Sequence, residues 1–301
     1  MQPMPCVFAE PVLPTDALTA VPIQNVPLVL TDVSAPPFDA AALQRIATTL
    51  APGADALLVG EHHNRPDFPP TLVASLLLAV GARPWPTLAC RDRNRVVLEQ
   101  ELRGLRHVGV DTVLCVTGDG RGPDVRPGVT QVWDLDGPRL AELATSVGLA
   151  AAVPETPTAP PAHSRPARLA AKQQHGAAVA VLNHVARRED VAEFMTSARQ
   201  AGLRMPVIAA VAAFTDAGSA SALQNLPGLE IEQSVVAGVL AADDPVEAGI
   251  TAAVEEARAL LAIDGVQGVN VSGLASTRGW DYAAHIKAEV GLRILEEHRC
   301  D

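Results

Sequence analysis

The chain has 301 residues, 48% of them hydrophobic and 19% charged, with a formal net charge of −11 at neutral pH. Such a supply of apolar side chains fills a sizeable core, and α/β barrels of this length often fold as one unit, so a single domain over 1–301 is expected. The acidic balance argues against nucleic acid or an anionic membrane surface as the main partner. With no apolar stretch of membrane-spanning length and no basic-then-apolar leader, a cytoplasmic location is expected.

Strand and helix signals alternate along the chain. Cys6 to Ala9 is a short apolar run that delivers Glu10, and Ala54 to Val59 delivers Glu61-His62-His63-Asn64. Leu88 to Cys90 ends in Arg91-Asp92-Arg93-Asn94, after which Val96, Val97, Leu102, Leu105 and Val108 return at helical spacing. Thr112 to Val116 ends in Thr117-Gly118-Asp119, and Val147 to Val153 delivers Glu155. Ala177 to Leu182 delivers Asn183-His184, Val207 to Ala213 ends at Phe214-Thr215-Asp216, and Val266 to Val271 ends at Ser272. Helical patterns run over Arg139 to Ser146, Arg188 to Gly202 and Pro245 to Ile263. Strands alternating with helices imply an α/β fold with parallel strands, and eight of them imply a single (β/α)8 TIM barrel. Val26 to Leu30 is a ninth candidate, either part of an insertion over 11–53 or a replacement for one of the eight.

In such a barrel, ligands meet the carboxyl ends of the strands, so Glu10, Glu61, Asp92, Asp119, Glu155 and Asn183 should gather at one mouth. The four cysteines, Cys6, Cys90, Cys115 and Cys300, stand singly without a CxxC, which reads as reduced thiols, with Cys90 a small core residue rather than a nucleophile. His62 and His63 are adjacent and would point to opposite faces of a strand, so no metal site is expected. Arg91 and Arg93 flank Asp92, where one could meet a phosphate or a carboxylate tail and the other a rim ion pair. The proline-rich stretch from Thr156 to Ala167 is either a flap over the mouth or a rigid surface loop. Only two lysines, Lys172 and Lys287, occur in the whole chain.

The segments Cys90 to Asn94 (CRDRN), Val113 to Asp119 (VLCVTGD), Val132 to Leu140 (VWDLDGPRL), Leu226 to Ile231 (LPGLEI) and Ala242 to Ile250 (ADDPVEAGI) together resemble the methylenetetrahydrofolate reductases, in a divergent member of the bacterial branch. The resemblance runs from about Glu10 to the C-terminus. It implies a (β/α)8 barrel that binds FAD at the strand ends and reduces methylenetetrahydrofolate to methyltetrahydrofolate with NADH or NADPH. The family's catalytic glutamate ends the first strand before a proline-containing turn, and Glu10, before Pro11, takes that role by resemblance, delivering a proton to N10 of the folate. Asp119 matches the aspartate near flavin and pterin and is assigned to catalysis, cofactor and substrate alike. Lys172 resembles the lysine on the flavin phosphates. Glu61, Asp92 and Glu155 are further cofactor candidates, and Asn183 and Phe214 are substrate candidates. A homo-oligomer is compatible with the family.

Departures from the family pattern concentrate on the flavin. Thr87-Leu88-Ala89 stands where a histidine and a threonine precede CRDRN, and Gly60 stands for a Thr or Ser. Asn183 replaces a folate-binding glutamine and is followed by His184-Val185-Ala186 instead of aromatic residues. With 3% aromatic residues there is little to stack on a ring, so FAD is expected to bind weakly. Three functions stay open: a reductase passing hydride directly from the nicotinamide, a paralogue using the cleft for another folate- or flavin-linked reaction, and a non-catalytic folate-binding or accessory protein.

Overall fold

The computed structural model describes residues 20–23, 25–61, 65–122, 126–225 and 231–300. In chain order its elements are β1 (Val29–Val33), α1 (Ala40–Leu50), β2 (Ala56–Val59), α2 (Pro70–Leu78), β3 (Pro84–Ala89), α3 (Arg95–Val108), β4 (Thr112–Val116), α4 (Gly137–Ser146), β5 (Ala150–Glu155), α5 (Arg165–Gln174), β6 (Ala177–Leu182), α6 (Arg188–Gln200), β7 (Val207–Phe214), α7 (Ala217–Gln224), α8 (Gln233–Ala241), α9 (Pro245–Leu261), β8 (Val266–Ala275) and α10 (Trp280–Cys300). Each strand pairs in parallel with the next and β8 closes on β1, giving the expected (β/α)8 barrel. No helix among the described residues is long and apolar enough to cross a membrane.

The first strand is not the one expected. The barrel opens with Val29–Val33, so the segment around Val26 to Leu30 takes the first place, while Cys6 to Ala9 and Glu10 lie outside the described residues. The reason is local. A β–α–β unit needs its helix directly between its two strands, and α1, opened by the Asp39 side chain accepting from the Ala42 N–H, lies between Val29–Val33 and β2.

Period-two alternation sorts the strands into two cores. Leu30, Leu58, Trp85, Leu114, Ala152, Val179, Val181 and Ile208 form a cluster with Ile23 and Val26 packed against it, while the alternate residues, such as Val29, Leu88, Val113, Val153 and Val211, pack among helix residues. Trp85 is fully buried, which removes on the order of 150–250 Å² of mostly apolar surface from water, with its Nε1 left without a hydrogen-bond partner among the described residues. In α3, Asn94 caps the first turn by accepting from the Val97 N–H and Gly109, at φ 100°, ends the last. Its buried stripe is Leu98, Leu102 and Leu105, while Val96 is left exposed. On α10, a Cβ at Gly291 would overlap the Gly53 carbonyl oxygen. That close approach holds α10 against the barrel and positions Lys287 one turn earlier.

Candidate functional site at the barrel mouth

Three cavities form one trough across the carboxyl ends of the strands. The largest, about 580 Å³, is lined by Asp32, Asp119, Asn183, Asn270, Ser272 and the apolar side chains of Leu58, Leu114 and Val181. A second, about 440 Å³, shares Asp32, Leu58 and Leu114 with it and extends over Gly60, Glu61 and Phe68. The third, about 380 Å³, shares Gly60, Glu61 and Thr87 with the second and runs out over Asp92 and Arg121. Asp119, Asn183, Glu61 and Asp92 therefore do open on one trough, although at different ends of it.

At its floor lies a residue that sequence reasoning missed. Asp32 stands on β1 with the parity of Leu30, facing the barrel axis, before the Pro36-Pro37 turn. Its Oδ1 accepts from Asn270 Nδ2 at 3.0 Å, and its backbone carbonyl accepts from Lys287 Nζ at 2.5 Å. Burial raises the Asp32 carboxyl above the ordinary carboxylate range, opposed by the Lys287 charge and by hydrogen bonds from Asn270 and Gly273. Asn270 is 5% exposed, and its Oδ1 has no partner among the described residues, so a buried acceptor stands open beside the acid. The available signals were a carboxylate inside an apolar run before a double proline, and a lysine in a chain that has only two.

Burial pushes the Lys287 ammonium down to about 8, against the attraction of Asp32. Its folded value lies below the unfolded one near 10.5, so between them the unfolded chain binds more protons and stability rises with pH; the contribution is lost as pH falls through about 8. Denaturant titrations from pH 7.5 to 10.5 should show the wild type gaining on Lys287→Met by roughly 3 kcal/mol across that window. Parallel curves would mean that Lys287 is solvated.

The other acidic candidates are held by arginine and lysine. Glu61 pairs with Arg93 at 2.7 Å and accepts from the Ala89 N–H at 3.0 Å; burial raises its carboxyl, opposed chiefly by Arg93. Asp92 accepts from Arg121 at 2.5 and 2.7 Å and from Arg91 at 3.0 Å. Glu155 has a side chain only 1% exposed and takes Lys172 at 2.9 Å and Arg165 at 3.1 Å. Lys172 thus does not line the trough: it is buried between α5 and β5, where desolvation lowers its pKa against the pull of Glu155. Arg165 also donates to the carbonyls of Ala159 and Pro160, which pins the proline-rich loop to β5 and favours the rigid alternative for that segment.

Asp119 sits in a turn that needs its glycine. Gly118 has φ 88°, and a Cβ there would approach Arg91 Cβ to 3.1 Å. Arg91 Nη1 donates to the Asp119 carbonyl at 3.2 Å, and Asp119, which is exposed, is one of the residues lining the main cavity. Asn183 Nδ2 donates to Thr156 Oγ1 at 2.7 Å. Phe214 is 3% exposed and lines a separate cavity with α8 and α9 rather than the trough. His184, beside Asn183 but of opposite parity, has its Nε2 2.8 Å from Glu256 on α9. Cys90 is fully buried, and burial pushes its thiol up to about 12, which fits a core residue. His62, His63 and Asn64 lie outside the described residues.

Comparison with known proteins bears on this geometry. The family model for methylenetetrahydrofolate reductase matches residues 60–278. No curated protein sequence matches the chain. Among solved structures, a protein from Clostridium thermocellum described as binding two copies of 5-methyl-5,6,7,8-tetrahydrofolic acid has a TM-score of 0.61 and 13% identity, covering 89% of this chain and 96% of that one. At that identity the likeness concerns the fold. The matched segment takes in β3 through β8 and the loops that build the mouth, and the chain belongs to the methylenetetrahydrofolate reductase family.

Proposed function

We propose that the protein reduces methylenetetrahydrofolate to methyltetrahydrofolate with NADH or NADPH, and that Asp32 is the proton donor. The observation that carries this reading is an inward-facing carboxyl with a raised pKa at the end of the first barrel strand, next to a buried acceptor without a partner among the described residues. The position is the one the family gives to its catalytic carboxylate, and Glu10, assigned there from sequence, precedes the first strand of the barrel. The Asn270 Oδ1 suits an N–H of a pteridine, while Asp119 and Asn183 supply further polar contacts along the same cavity. The apolar lining from Leu58, Leu114 and Val181 belongs to the burial that raises the carboxyl's pKa and so favours its acid form.

In this scheme Asp32 gives its proton to N10 as the bond from N10 to the one-carbon unit breaks, leaving a carbon–nitrogen iminium at N5. Hydride from the dihydronicotinamide adds to that carbon and makes the methyl group; the nicotinamide is oxidised, and the Asp32 carboxylate recovers a proton from solvent. Both substrates share the trough over β1, β2 and β8.

The contacts that the family resemblance assigns to FAD are not in place along the main cavity. Lys172, expected on the flavin phosphates, is buried on Glu155. The Ala89 N–H is taken by Glu61, Gly60 offers no side chain, and among the described residues lining the main cavity none is Phe, Tyr or Trp. No step is therefore assigned to a flavin. A non-catalytic folate binder is the second reading, favoured by the ligand of the Clostridium thermocellum protein. Freshly purified protein is expected to lack stoichiometric flavin absorption and yet to oxidise NADH or NADPH only when methylenetetrahydrofolate is present. Tight, stoichiometric FAD would overturn the direct transfer, and folate binding without turnover would favour the second reading.

A further inference from the structure

The third cavity, at the tips of β2 to β4, differs in chemistry from the one over Asp32. Among the described residues that line it, five are arginines, Arg65, Arg91, Arg93, Arg121 and Arg126, against three carboxylates, a cationic excess in a chain whose net charge is −11. Two of these guanidiniums are well buried, with side-chain exposures of 5% for Arg91 and 8% for Arg121, and both share the single carboxylate of Asp92. Arg91 in addition donates from Nη1 to the Asp119 carbonyl at 3.2 Å, so the cluster is held in place on the tips of the strands. Arg126 stands at the rim with φ 51°, outside the usual range for a residue with a side chain. Its side chain is exposed and has no ion-pair partner among the described residues. Planar guanidinium forks converging in a concave site are matched by phosphate oxygens. Gly60, shared by this cavity and the next, would place a Cβ in open space, so nothing at that point closes the passage toward Asp32.

We propose that this arginine-lined cavity holds the phosphate groups of the dinucleotide hydride donor, with its dihydronicotinamide reaching along the trough to the one-carbon unit above Asp32. The inference rests on the nicotinamide-linked reading of the mouth and adds to it the place where the donor is gripped.

The test compares wild type, Arg126→Gln and Arg121→Gln/Arg126→Gln, each checked for an unchanged circular dichroism spectrum. The probes are NADH, NADPH, phosphate-free dihydronicotinamide riboside, and the mono- and triglutamyl forms of methyltetrahydrofolate, with dissociation constants from fluorescence and calorimetry. The double variant should bind both dinucleotides about tenfold to a hundredfold more weakly, the scale of one or two charge-assisted hydrogen bonds, and the riboside as the wild type does. Unchanged dinucleotide affinity in the variants would overturn the proposal. Selective loss of the triglutamyl folate would also overturn it and assign the cavity to the folate tail. A wild type that binds neither dinucleotide nor folate would fail earlier, at the reductase reading itself, and is distinguishable because no variant is then needed.

Discussion

Asp32→Asn should lower turnover by about 10²–10⁴-fold while leaving methyltetrahydrofolate affinity within a few-fold of the wild type. The amide keeps the size of the side chain and can still meet Asn270, which now donates to Asp32 Oδ1 at 3.0 Å, but it cannot release a proton to N10. The pH profile gives a finer check. Only the protonated acid works in this scheme, so activity should fall as pH rises through the elevated Asp32 pKa. Lys287 opposes that elevation, and Lys287→Met should therefore move the alkaline limb to higher pH. Glu10→Gln, measured beside these variants, separates the two carboxylates. If Glu10→Gln abolishes turnover and Asp32→Asn does not, the assignment of the proton donor moves back to Glu10.

The second large effect is on stability. Glu155→Ala should cost roughly 3–5 kcal/mol, because it leaves a buried ammonium without its counter-charge. Lys172 Nζ lies 2.9 Å from Glu155 Oε2, and its own pKa is already lowered by desolvation. For a chain of this size that loss corresponds to a fall in Tm of about 10 °C in calorimetry. Glu155→Leu combined with Lys172→Met removes the buried ammonium together with its carboxylate and should recover part of the loss, since apolar replacement of a buried pair is often close to neutral, while Arg165, which also pairs with Glu155, still loses its partner. A Tm within 2 °C of the wild type for Glu155→Ala would mean that water reaches the pair. The same variants bear on the flavin: a lysine devoted to cofactor phosphates would show its loss in FAD affinity rather than in Tm.

Much of the architecture was legible from local pattern. The runs Thr112 to Val116 and Ala177 to Leu182 coincide with β4 and β6, because a parallel strand covered on both faces is nearly continuous in apolar residues and stops where polar ones begin. The helix after β3 was placed correctly, and Leu102 and Leu105 do lie on its buried face, but the start of that face was not. Val96 and Val97 belong to the exposed first turn, and Leu98 begins the stripe that packs. β3 itself starts at Pro84, earlier than expected, since Pro84 and Pro86 lie where it pairs with β2, and Thr87 to Ala89 pair with β4.

The amino-acid sequence by itself determined the (β/α)8 class, the family resemblance and most of the polar strand tips, because these follow from short-range periodicity and from motifs a few residues long. Which strand comes first was decided only by closure of the barrel, where Val29 pairs with Val269 across the length of the chain. That closure brings Asp32 to Asn270 and lets Lys287 of the last helix reach the first strand. The opposite fate of Lys172, buried on Glu155, was likewise set by the packing of α5 on β5. Proton affinity depends on burial and on charges from distant segments, and those quantities have no value until the barrel is closed.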